Sequence, residues 1–373
     1  MAFLADLRTA EAATQSGVTR SYTDRADRTW SKWVAFCHDL HHNPLLTTIS
    51  DPIILLQVFA QRVRDGRASL SGNSVGAGTV SAYLAHVGQT LALLGGPDPR
   101  LNTHGQVDLR LARQCRAYSK EDPPPARALP IPLPILRHAH HLVHRDPLAT
   151  PGLQATADLM ALAYFFLMRP GEYCTSGETS HPFLLRDIQF HQGPTMLTPL
   201  ASAPALLAAS HVVLTFTDQK NSVRGEKVVQ GRSGHPLFCP VTALARRVLH
   251  LRAHQAPCTT PIHAYWDPSG TMKHVSSQSV TSLLRRSAAL LRDGTCPSHA
   301  LTSRALRATG ASALLLTGVD TNLIRLIGRW QSDAMLRYLH VQTSPLRHHL
   351  AQRMLTPNTA PPSPLPIATL PGL

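Results

Sequence analysis

The sequence predicts a mainly α-helical protein with a small β-sheet, arranged as two domains. Three observations support this prediction. Apolar residues recur at helical spacing over most of the 373 residues, which is typical of amphipathic helices packed on a core. Six prolines fall within residues 120–134 and interrupt the helical pattern there. Between residues 211 and 231, two runs of alternating apolar and polar residues flank a polar turn, which indicates a β-hairpin.

The first domain is predicted to be a small helical bundle over residues 19–119, preceded by a short tail, 1–18. Asp51 and Pro52 make a favourable helix start, and Gly66 a favourable helix end, because proline fits the first turn and glycine the exit. Short connections between such helices are typical of a bundle. The predicted helices cover residues 23–40, 52–66, 79–95 and 108–119.

Residues 120–134 are predicted to form a stiff, extended linker, since proline cannot occupy the interior of a helix. The second domain follows over residues 135–350 and is predicted to combine helices with the small sheet. The chain then ends in a proline-rich tail, 351–373, which is predicted to be disordered.

A continuous apolar run in the second domain, Leu159 to Met168, leads directly into Arg169. Such a run indicates a buried helix, and a charged group at its end is costly unless its charge is used. Glu172, three residues later, is the candidate partner of Arg169. Their ion pair is either purely structural or also orients Arg169. Two further helices are predicted over residues 239–254 and 276–292, with exposed arginines.

The formal net charge of +14, with 21 histidines besides, indicates an acidic partner. Nucleic acid is the leading candidate, because a basic surface attracts the phosphate backbone. The alternative is a generally cationic surface without a specific acidic ligand. An apolar content of 43% fits a folded globular chain.

Neither the cysteines nor the histidines predict a metal site or a cofactor. The six cysteines are scattered without a Cys-x-x-Cys pair, which argues against zinc and against a disulfide framework. His140 and His144 are spaced by four residues, but no glutamate stands in the position of a His-Glu-x-x-His base. The scattered thiols and the absence of a long apolar run or secretory signal predict an intracellular protein.

The residues from Thr302 to His340 predict three short helices that carry most of the candidate chemistry. Gly318 and Gly328 are predicted to end the first two helices, and Ser332 or Asp333 to begin the third. Taken singly, an arginine on such helices usually lies along the surface, and a tyrosine usually packs with its hydroxyl in water. Five arginines are spread over the stretch, namely Arg304, Arg307, Arg325, Arg329 and Arg337, and Tyr338 lies on the third helix.

The joint pattern resembles the C-terminal active-site region of the tyrosine recombinases, the phage-integrase-like DNA strand-transfer enzymes. In that family His-x-x-Arg is followed by Gly-His or Gly-Arg-Trp and, nine residues later, by a tyrosine. This chain has Arg304-Ala-Leu-Arg307, then Gly328-Arg329-Trp330, then Tyr338. The resemblance is closest to members carried by eukaryotic mobile elements. Arginine stands at both usual histidine positions, 304 and 329.

The resemblance implies a role for each matching residue. Tyr338 would be the nucleophile, Arg169 and Arg307 would bind the phosphate, and Lys220 on the β-hairpin would be the general acid. Glu172 would orient Arg169, and Arg304 and Arg329 would take the remaining catalytic positions. Arg224 and Lys227 are alternatives to Lys220, and residues 187–211 are longer than the family's usual connection, which indicates an insertion.

The implied function is site-specific DNA recombination or integration through a covalent 3′-phosphotyrosyl intermediate. The first domain would then be a core-binding domain, the partner double-stranded DNA, the assembly a homo-tetramer on DNA, and the location the nucleus. Candidate DNA-contacting residues are Arg28, Lys32, Arg224, Arg246, Arg247, Arg285 and Arg286.

Two other functions stay open at this point. Arginine cannot release a proton at neutral pH, so the chain could be a catalytically inactive DNA-binding protein derived from a mobile-element recombinase. The turn around residues 318–330 is also compatible with an unrelated helix-turn-helix regulator. Such a regulator needs no matched arginine, lysine and tyrosine, and the spread of these residues from Arg169 to Tyr338 disfavours it.

Overall fold

The computed structural model describes residues 2–69, 72–124, 130–177, 180–198, 200–217, 225–291 and 296–331. The chain divides into two compact units, residues 1–126 and 127–373. Both are mainly helical, and an antiparallel sheet lies in the second unit, so the predicted fold class is confirmed. Within the described ranges, no helix has the length and apolarity that crossing a bilayer requires.

Five helices lie in the described part of the first unit, and four of them correspond to the predicted bundle. Their bounds are α1 Ala2–Ser16, α2 Arg20–Asp39, α3 Pro52–Arg64, α4 Ala77–Leu93 and α5 Leu109–Glu121. The additional helix, α1, occupies the segment predicted as a tail and has no buried residue. The pattern of residues 2–16 therefore forms a helix without contributing to the core.

The core of the first unit is built around the aromatic residues of α2 and α3. Trp33 and Phe59 are fully buried, and their rings meet edge to face at 5.2 Å between centroids. Trp33 donates from its indole nitrogen to the carbonyl oxygen of Pro44 at 2.9 Å, so its polar atom is satisfied. Packing against α4 and α5 comes from Val80, Leu84 and Leu111.

The second unit contains eight described helices and six strands. The helices are α6 Leu133–His144, α7 Pro151–Phe165, α8 Pro170–Tyr173, α9 Ala203–Ala208, α10 Pro240–Ala253, α11 Ser277–Leu291, α12 Ala305–Leu316 and α13 Thr321–Gly328. The strands are β1 Ile188–Gln192, β2 Thr195–Met196, β3 His211–Phe216, β4 Glu226–Gly231, β5 Ala264–Trp266 and β6 Met272–His274. The third helix expected after residue 331 lies outside the described residues.

The four-stranded sheet has the order β2-β1-β3-β4, with every neighbouring pair antiparallel. Phe216, the last residue of β3, is opposite Glu226, the first of β4, so these strands form the predicted hairpin. Residues 187–211, interpreted as an insertion, form β1, β2 and α9 and supply half of this sheet. The strands β5 and β6 form a separate hairpin.

Helix α7 runs through the core of the second unit, as its continuous apolar run predicts. Its residues from Ala155 to Ala163 are all buried. Gly310 of α12 lies against its C-terminal turn, where an added Cβ atom would be 2.2 Å from the carbonyl oxygen of Tyr164. The helix ends at Phe165, and Leu167 then adopts a left-handed conformation with φ of 50°. That turn directs the chain out of the core toward Arg169.

Candidate active site and nucleic-acid interface

Arg169 lies at the start of the short helix α8, immediately after the buried end of α7. Glu172 accepts two hydrogen bonds from it, one from its backbone nitrogen at 2.8 Å and one from Nη1 at 3.0 Å. The side chain of Arg169 is 31% exposed, whereas that of Glu172 is 9% exposed. The predicted ion pair is therefore formed, and it fixes a guanidinium that still reaches solvent.

Arg329 approaches the same carboxylate from the C-terminal end of α13. Its backbone is left-handed, with φ of 56°, and its side chain turns inward. Nη2 donates to Oε2 of Glu172 at 2.8 Å, and Nη1 donates to the carbonyl oxygens of Phe166 and Ile327 at 3.2 and 3.1 Å. Burial lowers the pKa of Arg329 to about 10, which leaves the group charged at neutral pH. Glu172 is thus shared by two guanidinium groups.

Arg307 joins this arrangement through the turn that carries Arg329. It projects from α12, is only 6% exposed, and donates from Nη2 to the carbonyl oxygen of Gly328. Its guanidinium carbon lies 4.3 Å from the ring centroid of Trp330, a cation–π contact. A Cβ atom on Gly328 would overlap that ring, so only glycine fits there.

The structure therefore places Arg169 and Arg329 on one carboxylate, that of Glu172, and holds Arg307 against Gly328, the residue before Arg329. Arg304 does not share their contacts, because it stands exposed at the N-terminal end of α12. Tyr338, Lys220 and Arg224 lie outside the described residues. Lys227, an alternative to Lys220, is exposed on β4.

The two ends of the segment that contains Lys220 lie beside Arg329. Phe216, the last residue of β3, places its ring 3.4 Å from the guanidinium carbon of Arg329. Glu226, opposite Phe216 in the hairpin, is close enough for its charge to favour the charged form of Arg329. The strand ends on either side of this segment, Phe216 and Glu226, therefore both lie near Arg329.

A cleft of about 380 Å³ opens beside the Glu172 carboxylate. Its walls come from the segment after α8 and from the end of β3. The residues that matter chemically are Glu172, Ser180, His181, Arg186, Asp187 and Thr217. Asp187 is buried and accepts a hydrogen bond from the backbone nitrogen of Leu184 at 2.9 Å.

The prediction that Arg246 and Arg247 are exposed is wrong for Arg247 and only partly right for Arg246. Arg247 is 2% exposed, and its guanidinium donates to the carbonyl oxygens of Ile262 and Ala264. Burial lowers its pKa to about 10. These bonds hold α10 against the β5 strand, so Arg247 acts within the fold and does not face a phosphate.

Arg246 is engaged with a buried carboxylate. Its Nε donates to Oδ1 of Asp158 at 2.8 Å, and Nε2 of His144 lies 3.1 Å from the same oxygen. Burial alone would raise the pKa of Asp158, but the charge of Arg246 and the hydrogen bond from His144 outweigh burial and hold it below its usual range. The charge of Arg246 therefore compensates Asp158 within the fold.

The two arginines on α11 have different surroundings. Arg285 donates to the carbonyl oxygens of His299 and Leu301 at 2.8 and 3.2 Å, which ties α11 to the segment before α12. Arg286 is exposed and lines a separate cleft at the start of α7. Of this pair, Arg286 has the more accessible charge.

The first unit has a basic groove of about 1160 Å³ between α2, α3 and α4. Arg28 is exposed on its wall, and Lys32 donates to the hydroxyl of Tyr83 at 2.9 Å. Both predicted residues therefore face one concave surface. The groove is also lined by Tyr22, Arg25, Arg62, Arg67 and His86.

Several of these groove and cleft residues were not predicted from the sequence. Arg25, Arg28 and Lys32 follow each other at helical spacing, so the period of α2 could have identified Arg25. Arg62 and Arg67 come from α3 and the turn after it, and no local pattern relates them to α2. His181 has no signal of its own, because its position beside Glu172 depends on the fold.

Among the described residues, no group of three or more histidine, cysteine or acidic side chains is placed to hold a metal ion. The arrangement centred on Glu172 is instead cationic. One partly exposed guanidinium, of Arg169, and one buried guanidinium, of Arg329, share the carboxylate of Glu172. A guanidinium fork is suited to bind two phosphate oxygens.

No protein-family model matches the chain, and no curated protein sequence matches it. Solved structures do show similarity. A XerA recombinase aligns over 94% of this chain and 98% of its own, with 14% identity and a TM-score of 0.39. A Tn1549 transposon integrase in complex with circular intermediate DNA aligns over the same shares, with 11% identity and a TM-score of 0.48.

A third similar structure is a Flpe–Holliday junction complex. It covers 82% of this chain and 77% of its own, with 10% identity and a TM-score of 0.35. At these values the likeness is distant, and the functional assignment rests on the residues of this chain.

Proposed function

We propose that the protein is a DNA strand-transfer enzyme of the tyrosine-recombinase type, acting through a covalent 3′-phosphotyrosyl intermediate. The observation that carries this proposal is the arginine cluster: Arg169 and Arg329 share Glu172, and Arg307 is fixed to the turn before Arg329. Arg169 is far in sequence from Arg307 and Arg329, and all three match positions of the motif. The net charge of +14 supports DNA as the substrate.

Cleavage of a phosphodiester without a metal needs a nucleophile, cations for the charged oxygens and a proton for the leaving group. Tyr338 is proposed to attack phosphorus through its phenolic oxygen, forming a phosphate ester that preserves the bond for religation. Arg169 and Arg307 are proposed to neutralise the non-bridging oxygens. Lys220 is proposed to lie near the leaving 5′ oxygen, since its segment begins and ends beside Arg329.

The geometry separates the roles of the arginines. Arg169 is the most exposed of the three and is proposed to touch the phosphate directly. Arg329 is buried and donates hydrogen bonds to Glu172 and to two carbonyl oxygens. It is therefore proposed to position Arg169 and not to bind the phosphate itself. Arg329 and Glu172 together hold Arg169 in one orientation before substrate binds.

The basic groove of the first unit is proposed to contact DNA through Arg28 and Lys32, in the manner of a core-binding domain. In the second unit, Arg286 is proposed as a further phosphate contact. A tetramer on DNA, an origin in a mobile element and action in the nucleus complete the proposal. The motif resemblance and the net charge of +14 support these three parts of the proposal.

The experiment is incubation of the protein with a nicked suicide DNA substrate, followed by denaturing electrophoresis to detect a covalent adduct. Wild type is expected to form the adduct, and Arg169→Ala to form it about 10²-fold more slowly, because a preorganised cation is lost. Arg145→Ala, an exposed arginine at the end of α6, is the matched control and should behave as wild type. DNA binding by wild type without any adduct would instead indicate the inactive DNA-binding protein.

A further inference from the structure

The basic groove of the first unit contains an imidazole in addition to its arginines and lysine. His86 of α4 is partly exposed and lines the groove together with Arg25, Arg28 and Lys32 of α2. An imidazole changes its charge near neutral pH, whereas a guanidinium or an ammonium group does not. The groove therefore contains a group whose charge can change while its arginines and lysine stay positive.

The hydroxyl of Thr29 determines which nitrogen of His86 carries the proton. Thr29 is buried on α2 and donates from Oγ1 to the carbonyl oxygen of Arg25 at 2.8 Å. Because its one hydrogen is used there, Oγ1 accepts in its contact with Nδ1 of His86, at 3.2 Å. Nδ1 therefore carries the hydrogen of the neutral ring, and Nε2 has the lone pair.

Nε2 is the ring nitrogen that is left for a ligand in the groove. Within the described residues it has no hydrogen-bond partner. Tyr22 packs edge to face against the imidazole, with 5.0 Å between ring centroids, and limits its rotation. A neutral ring offers a lone pair, which repels a phosphate oxygen. A protonated ring offers an N–H donor and a positive charge, which bind one.

The surroundings of His86 favour the neutral ring while the groove is empty of DNA. Burial and the charge of Arg25 lower the pKa of His86 below its usual 6.5. The acidic group in the lining, Asp39, lies 3.6 Å from Arg62 and is paired there. The other titratable or charged groups that line the groove are Tyr22, Arg28 and Lys32 on α2, Arg67 after α3, and Tyr83 on α4.

A bound phosphate reverses this balance. Its negative charge offsets the charge of Arg25, and its oxygens accept a hydrogen bond from a protonated Nε2. Both effects favour the charged imidazole, because a nearby opposite charge and a hydrogen bond to the charged form each stabilise that form.

We propose that His86 binds a DNA phosphate as imidazolium, so that DNA binding in this groove takes up a proton from the solvent onto Nε2. The inference rests on the proposed function, in which this groove contacts DNA through Arg28 and Lys32. Protonation and DNA binding strengthen each other by the same factor, because linkage is reciprocal. Affinity therefore rises as the pH falls from 7.5 to 6.

The experiment measures binding of the full-length chain to a linear DNA duplex by fluorescence anisotropy, at constant ionic strength, at pH 7.5 and at pH 6. Wild type is expected to gain roughly three- to fivefold more affinity than His86→Gln on acidification, the size expected of one exposed ion pair. Glutamine keeps a polar side chain but is uncharged at both pH values. His42→Gln, an exposed histidine outside the groove, is the matched control and should gain as wild type does.

Calorimetry tests the proton uptake separately. Titrations at pH 6.5 in two buffers of different ionisation enthalpy give the number of protons taken up on binding. Wild type and His42→Gln are expected to take up the same number, and His86→Gln a measurable fraction of a proton less.

Each other outcome contradicts the inference in a recognisable way. If wild type and His86→Gln gain the same affinity, or take up the same number of protons, His86 is not protonated on binding. If His86→Gln loses the same affinity at both pH values, its contact does not depend on charge. In these cases DNA is still bound, so the proposed function stands. If wild type binds no DNA at either pH, the proposed function fails as well.

Discussion

Glu172 is the residue on which the geometry of the candidate site depends. It accepts charge-assisted hydrogen bonds from Arg169 and Arg329 while being only 9% exposed. A buried carboxylate between two guanidinium groups is stabilising only as a complete set, because removing one charge leaves the others desolvated and unpaired. Its effect on catalysis is indirect, since it holds Arg169 in place.

Glu172→Gln is expected to destabilise the second unit by about 3 kcal/mol, because it leaves two guanidinium groups without their shared anion. Adduct formation should slow as Arg169 loses its fixed orientation, while DNA affinity changes little. Urea denaturation and the adduct assay measure the two effects. Glu121→Gln is the matched control: that glutamate is 68% exposed, 3.8 Å from Arg64, and an exposed pair contributes little. Equal stability of the two variants would show that Glu172 does not organise the site.

His140 is expected to make the second unit sensitive to acid. It is fully buried on α6 against Phe238, and neither ring nitrogen has a hydrogen-bond partner among the described residues. Burial lowers its pKa from the usual 6.5 to about 3. Between these values the unfolded chain binds a proton that the folded chain does not bind. Stability therefore falls as the pH falls from 6.5 toward 3.

His140→Phe removes this titration and keeps an aromatic ring in the core. Between pH 7 and pH 5.5, the variant should lose about 1 kcal/mol less unfolding free energy than wild type. Chemical denaturation at the two pH values tests this, with His299→Gln as an exposed control. A variant with the same loss as wild type would mean that His140 does not titrate on unfolding.

At the residue scale, the sequence predicted the ion pair of Arg169 with Glu172 but did not predict that Arg247 is buried. Arg169 and Glu172 lie three residues apart at a helix start, so their contact follows from local geometry. Arg246 and Arg247 are adjacent on α10, and helical periodicity cannot show that Asp158 and two distant carbonyl groups would engage them. These partners are defined only by tertiary packing.

The contact of α12 with α7 is the element-scale feature that sets the spacing of Arg307 and Arg169. Gly310 allows this approach, because an added Cβ atom would be 2.2 Å from the carbonyl oxygen of Tyr164. The carbonyl oxygen belongs to the backbone of α7, so it cannot move away from an added Cβ atom unless the helix itself moves. Any larger residue at 310 must separate α12 from α7.

Gly310→Ala is expected to destabilise the second unit by about 1–3 kcal/mol and to slow adduct formation, since overpacking moves Arg307 away from Arg169. Gly78→Ala on α4 is the matched control, because no atom of the part of the chain that the structure describes lies within 4 Å of its added Cβ atom. That change should stabilise the first unit by roughly 0.5 kcal/mol through helix propensity. Thermal unfolding measures both, and a neutral Gly310→Ala would contradict the close helix contact.

Long helices were predictable, and short elements were not. The periodicity of α2, α3 and α4 located each within a few residues, and proline and glycine indicated their ends. The two-residue strand β2 and the six-residue helix α9 are too short to show a period. Both lie within residues 187–211, which were interpreted as an insertion because they are longer than the family's usual connection. The contacts of β2 with β1 and of α9 with α10 are tertiary and have no local signal.

At the scale of the whole molecule, the net charge of +14 predicts DNA binding that weakens steeply with salt. Binding releases counterions, so a protein with 6–10 phosphate contacts would lose roughly 10³–10⁵-fold in affinity between 50 and 200 mM salt. Both units are expected to be needed, since each carries exposed basic residues. An affinity that is flat between low and physiological salt would refute this expectation.

Arg28→Ala tests the groove of the first unit. If Arg28 contacts one phosphate, the variant should reduce the slope of log affinity against log salt by about one. Arg110→Ala is the matched control, because that guanidinium is paired with Asp51 and Asp108 and does not line the groove. Fluorescence anisotropy over a salt series gives both slopes, and equal slopes would place DNA elsewhere on this unit.

The central claim is that this chain forms a covalent bond to DNA through Tyr338. The most direct measurement is mass spectrometry of peptides from the adduct on a nicked suicide substrate, after nuclease and protease digestion. A nucleotide attached to Tyr338, and no adduct from Tyr338→Phe despite unchanged DNA affinity, is the predicted result. A nucleotide on any other residue, or an adduct that persists in Tyr338→Phe, would contradict it.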